Sequence, residues 1–232
     1  WFWARAYKRT ASLGTFVGGF QVFLEALAEQ VIKQGVALRL GAPVREIAPR
    51  PSGGYTVTFN GGSLNVDQVL STTSPRLMAR LVPALPEDYR SQLERLISVG
   101  AVALILALDR QLMTDGTYWL NLPANSPGKS QNPFPFLALV EHTNYVSADY
   151  FGGDHLVYLG DYLPPDHEYF RLSEDELADR FLPSLVKVNP DFSPDWVRKR
   201  WLFRSPYAQP VPTVNHSRNI PSIRTPLPGL YL

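Results

Sequence analysis

Residues Ala101–Leu108 read Ala-Val-Ala-Leu-Ile-Leu-Ala-Leu, a run without one polar side chain. It is far shorter than the roughly 18 apolar residues of a membrane span. It also lacks the polar alternation of a strand with one wet face. The run therefore predicts a strand at the centre of a sheet or covered on both faces. A chain built around it must supply neighbouring strands and helices to cover it.

Those elements are legible on either side. Upstream, Phe20, Phe23, Leu24, Leu27, Ala28 and Val31 recur at helical spacing and Gly35 stops them, which predicts an amphipathic helix over 20–34. A strand is expected over Val36–Leu40 and another from Val44 to Ile47. Ser52-Gly53-Gly54 and Asn60-Gly61-Gly62 are turns that set Tyr55, Val57, Phe59, Leu64 and Val66 into a meander. A further strand follows at Val69–Thr72, and Ser74-Pro75 caps a helix over about 75–82. Downstream, residues 87–97 form a polar helix and 123–135 a loop rich in Pro, Asn, Ser and Gly. Strands are expected at Phe136–Val140, Leu156–Leu159 and Val197–Phe203. Ser173 and Glu176 form a capping box that opens a helix running to about 188. Residues 204–228 are Pro-rich and irregular. The fold class is α/β of the mixed α+β kind: a small layer with a β-meander, then a mixed sheet flanked by helices.

Several functions are excluded or disfavoured by composition. A net charge of +1 offers no field for nucleic acid, and Arg198-Lys199-Arg200-Trp201 is better explained by strand alternation. The absence of Cys removes disulfides, thiolate metal sites and a cysteine nucleophile. His142, His155, His167 and His216 lack metal-ligand spacing, so no metal is expected. No G-x-S-x-G elbow, Walker loop or G-x-G-x-x-G turn occurs. A cytoplasmic location and no transmembrane segment are expected. The chain opens on Trp1-Phe2-Trp3 and closes on Gly229-Leu230-Tyr231-Leu232, both apolar, and reads as an interior slice of a longer protein.

Gly18-Gly19-Phe20 before the first helix, Gly35-Val36, Pro43-Val44-Arg45-Glu46-Ile47, the meander and Ser71-Thr72-Thr73-Ser74-Pro75 make one ordered pattern. It resembles the central part of flavin-containing amine oxidase-like proteins, the group with phytoene desaturases, protoporphyrinogen oxidases and UDP-galactopyranose mutases. The resemblance spans about 14–75 and 226–232. It implies FAD as cofactor, with Val44, Thr72, Thr73 and Pro75 on the cofactor side. It implies a small-molecule substrate, for which Gly18, Gly19, Phe20, His142, Tyr158 and Tyr207 are the candidate contacts; catalytic residues are not assigned. On this reading 14–75 with 226–232 form part of the cofactor side, 76–225 the substrate domain, and 1–13 a segment of the substrate side. The parent would pass a hydride from substrate to flavin, and this piece, without the phosphate loop, would neither retain FAD nor catalyse. Two alternatives stay open. A redox-neutral mutase would need arginines converging on a diphosphate, with Arg198, Arg200, Arg204 and Arg218 the dense supply. A non-catalytic lipid- or sugar-binding module would use a tyrosine wall of Tyr145, Tyr158, Tyr162 and Tyr207. A homodimer through exposed apolar surfaces is also expected.

Overall fold

The computed structural model describes residues 14–123 and 132–232. The chain divides at Pro43/Val44 into two units. Residues 1–13, assigned above to the substrate side, lie outside the described residues, as does most of the loop expected at 123–135.

In the first unit the expected helix, α1, spans Gly19–Lys33 and is preceded by Gly18 at φ 82°, a conformation that favours glycine. Phe16 stacks on Phe23 with centroids 4.3 Å apart. None of the helix is buried, and Phe20 is 67% exposed. The strand expected at Val36–Leu40 does not form: these residues are exposed and pair with no ladder. A mostly apolar segment such as Val36–Leu40 cannot make a strand without a partner to take its backbone hydrogen bonds.

The second unit contains two cores. The smaller is built on the meander β1 (Val44–Pro49), β2 (Tyr55–Phe59) and β3 (Gly62–Val66), an antiparallel sheet in that order. Short strand β4 (Val69–Leu70) pairs in parallel with β10 (Leu230–Tyr231), far along the chain. Helix α2 (Pro75–Leu81) starts as expected, Ser74 Oγ accepting from the Leu77 N–H with proline in the first turn. Helix α3 (Glu87–Glu94) was expected to flank the larger sheet. Instead it buries Tyr89 and Leu93 with Met78, Val82, Ile47 and Leu230 in the smaller core. Two phenols tie this core to the C-terminal stretch, Tyr55 donating to Pro228 O and Tyr89 to Ser222 O, each at 2.8 Å.

The larger core lies on one face of a five-stranded sheet of β5 (Ser98–Leu108), β6 (Trp119–Asn121), β7 (Ala138–Glu141), β8 (His155–Leu163) and β9 (Val197–Pro210), ordered β6-β7-β8-β5-β9. The apolar run predicted as a central strand is β5, hydrogen-bonded on both sides. Every ladder in this sheet is antiparallel, not mixed. Val102, Leu104, Leu106 and Leu108 alternate inward with Val157, Leu159 and Leu163. They pack under Leu177 and Phe181 of α4 (Glu174–Phe181) and under Leu182 and Leu185 beyond it. Each fully buried aliphatic side chain stabilises by about 1.5–3 kcal/mol. The Ser173/Glu176 capping box forms with both of its hydrogen bonds. The helix expected to reach 188 turns into 3-10 geometry over Leu182–Lys187, because Pro183 has no N–H for the α-helical ladder. Strand β9 runs seven residues past the expected Phe203 to Pro210, on the sheet edge where proline is tolerated. No described helix is long and apolar enough to cross a membrane.

Candidate functional site

With Leu104, Leu106, Val157 and Leu159 turned into the core, the period-2 alternation sends their neighbours to the opposite face of the sheet. The ladder registers arrange that face in rows. One row runs Trp119, Val140, Tyr158, Ile105, Trp201. The next runs Asn121, Ala138, Gly160, Ala103, Phe203. A third holds Tyr162, Ala101 and Ser205. Trp119, Trp201, Tyr162 and Phe203 are all exposed, Phe203 to 58%. The Trp119 indole N–H donates to Asn121 Oδ1 at 2.9 Å, fixing its ring at the rim. The result is an aromatic frame around a floor of alanines and one glycine.

His142 leaves β7 directly beside this frame. Its ring stands edge-on to Tyr158 at 5.9 Å and to Phe151 at 5.6 Å, with Tyr145 at 6.3 Å. Burial pushes the His142 imidazolium pKa down and the Tyr158 phenol up. Both groups are therefore neutral near pH 7, His142 with one donor and one acceptor nitrogen. The sequence candidates His142 and Tyr158 are thus brought together.

The residue before His142, Glu141, is not among the candidates named from the sequence. Glu141, fully buried, accepts from the N–H of Leu112 at 2.9 Å and of Met113 at 2.5 Å. Asn144 donates to Met113 O at 2.9 Å and Thr117 O at 2.8 Å. These bonds pin the β5–β6 connection to the end of β7. Burial raises the Glu141 carboxyl pKa, and the two backbone donors and His155 partly offset that. A glutamate at a core-facing position of an apolar strand was the available signal.

The other candidates lie elsewhere. Pro75 and Tyr207 share the wall of a cavity of about 160 Å³ with Arg76, Ile97, Ser98 and His216. Thr72 and Thr73 are exposed beyond the end of β4, the Thr73 hydroxyl 2.8 Å from that of Ser71. Val44 opens β1 opposite Phe59. Gly18, Gly19 and Phe20 belong to the first unit, at the start of α1. Of the tyrosine wall, Tyr158 and Tyr162 share the sheet face and Tyr145 lies tilted beside Tyr118 with ring centroids 5.2 Å apart, whereas Tyr207 is at the separate cavity. Three of the four arginines are engaged separately: Arg198 pairs with Asp154 at 2.7 Å, Arg200 with Asp175 at 2.6 Å, and Arg204 donates to Tyr169 O and Leu172 O, while Arg218 ends the short 3-10 turn His216–Arg218. No group of three or more metal-ligating side chains occurs among the described residues.

Residues 3–232 match the family model described as flavin containing amine oxidoreductase. No curated protein matches the chain. Among solved structures, a candidate protoporphyrinogen oxidase from Exiguobacterium sp. 255-15 superposes with a TM-score of 0.68 at 19% identity, over 99% of this chain and 49% of that one. A reduced UDP-galactopyranose mutase gives 0.68 at 16% identity, over 87% of this chain and 42% of its own. Cyclohexylamine oxidase from Brevibacterium oxydans gives 0.56 at 15%, over 82% and 41%. The chain spans about half the length of the structures it matches.

Proposed function

The chain belongs to the flavin containing amine oxidoreductase family, and on that premise we propose that it is the substrate-side part of an FAD-dependent oxidoreductase. The observation that carries the reading is the solvent-facing sheet surface, where Trp119, Tyr158, Trp201 and Phe203 frame a floor of small residues beside a neutral His142. A binding face for small molecules needs this combination, mostly apolar and aromatic with few placed polar groups. Bound flavin would supply the acceptor for a hydride from a substrate C–H. The chain's own residues do the rest. The aromatic rows bury the substrate, His142 hydrogen-bonds it through one ring nitrogen, and Glu141 fixes His142 through the backbone it anchors.

The residues on the cofactor side fit part of a dinucleotide. Beyond the parallel pair β4–β10, Thr72 and Thr73 offer exposed hydroxyls and main chain at the carboxyl ends of strands, where nucleotides bind in open α/β sheets. Val44 and Pro75 would flank them. No Gly-rich turn is available to take a pyrophosphate, so the phosphate contacts must come from chain outside residues 1–232. The mutase reading is weaker, because Arg198, Arg200 and Arg204 are committed to Asp154, Asp175 and backbone carbonyls.

The test uses the full-length protein. It should purify with flavin, and its substrate should bleach the oxidised-flavin absorbance under anaerobic mixing. Trp201→Ala should raise KM about tenfold with flavin content unchanged, the loss of roughly 1.4 kcal/mol of apolar contact. A flavin-free protein that cannot be reconstituted, or an unchanged KM, would defeat the proposal.

A further inference from the structure

We propose that Gly160 is a specificity-determining residue that keeps the floor of this face open for a flat ring of the substrate; this rests on the reading that the face receives substrate. Gly160 sits mid-strand in β8, paired with Ala138 on one side and Ala103 on the other. Glycine in a strand interior is unfavourable relative to alanine and has no side chain to pack, so its presence needs a reason. Conformation gives none, because Gly160 is not among the residues at positive φ. Packing gives none either: a Cβ built there meets no heavy atom within 4 Å. Gly100 on the neighbouring strand is the contrast, since its Cβ would lie 2.4 Å from Phe170 Cζ and 2.7 Å from Ser205 O. One glycine is demanded by the core, and the other leaves space facing out.

The space has a definite outline. Tyr158 and Tyr162 stand two residues to either side of Gly160 on the same face, which separates their Cα atoms by about 13 Å. Across the strands, Ala138 to Ala103 spans about 10 Å. A floor of that size, one methyl deep and bordered by aromatic rings, fits a planar one- or two-ring group lying against the backbone. A bulky puckered group would not contact the floor evenly. Such a group would be held by van der Waals contact with the floor and by stacking or edge contacts with the tyrosines.

The experiment measures binding of 2-naphthol, a flat two-ring probe without an oxidisable amine, to the full-length holoprotein by isothermal titration. Wild type, Gly160→Ala, Gly160→Leu and Phe203→Ser are compared, with thermal unfolding of each. Gly160→Ala should weaken binding a few-fold and Gly160→Leu at least tenfold, neither lowering the unfolding midpoint. Equal affinity in Gly160→Leu overturns the inference, as does a lowered midpoint in Gly160→Ala, which would make the glycine structural. If Phe203→Ser weakens binding and Gly160→Leu does not, the face still receives the ligand and only the role of Gly160 falls. If neither weakens it, or wild type does not bind, the substrate face itself is refuted and the inference goes with it.

Discussion

Replacing Glu141 tests whether the polar anchor under His142 is as costly to disturb as its geometry implies. Its carboxylate is fully buried and takes two backbone N–H groups, from Leu112 and Met113. Glu141→Ala strands both donors in the core, at about 1–3 kcal/mol each, and leaves a cavity as well. The total is about 3–5 kcal/mol, in the range seen when one partner of a buried charged network is removed. Glu141→Gln keeps one acceptor oxygen and turns an amide N–H₂ toward the other donor, so it should cost about 1–2 kcal/mol. The pH dependence follows from burial, which raises the folded-state pKa of Glu141 above its unfolded value. A raised carboxyl binds its proton more tightly in the folded protein, so its favourable contribution is complete below the unfolded pKa. That contribution is lost as pH climbs through the folded pKa. The stability advantage of wild type over Glu141→Gln should therefore shrink as pH rises from the ordinary carboxylate range toward neutrality. Urea unfolding of both proteins at a series of pH values reads the difference directly. An advantage that grows with pH would refute the argument that burial dominates at this site.

Three further outcomes are expected. Gly100→Ala should lower stability by about 1–3 kcal/mol through overpacking against Phe170 and Ser205; an unshifted thermal midpoint would contradict the packing described. A polypeptide of residues 1–232 alone should bind FAD weakly or not at all, and submicromolar affinity by isothermal titration would show that the phosphates have a holder within it. The exposed apolar side chains of α1, Phe20, Leu24 and Leu27 among them, should drive the same polypeptide to a two-fold dimer at tens of micromolar; light scattering at 26.0 kDa would exclude that.

What could be read from the sequence was local. The caps at Ser74 and Ser173 were visible because each is a hydrogen bond spanning three residues. The apolar run of β5 announced an interior strand because its composition alone forbids a wet edge. The partners of β5 could not be read, since Leu104 pairs with Leu159 and Leu202, 55 and 98 residues away. Without that register, Trp119, Tyr158 and Trp201 cannot be seen to share a row, and Gly160 looks like any strand glycine. His142 and Tyr158 were legible as polar and aromatic groups near strand ends and centres. Their meeting depends on β7 and β8 being neighbours. Val36–Leu40 shows the converse, an apolar segment with strand composition and no ladder to join.

The chain leaves the smaller core into β5 at Ser98 and comes back at Pro210, its own ladder partner, with the Val211 N–H bonded to Ile97 O at 2.9 Å. The described residues between these two positions enter and leave through two adjacent strands. Such a segment is topologically a hairpin grown large. It can be shortened, exchanged or grafted from another protein while its two points of attachment stay side by side. A chimera that swaps residues 98–210 would have to match the strand pair at Ser98 and Pro210 and the cavity wall where Tyr207 meets Pro75 and Arg76.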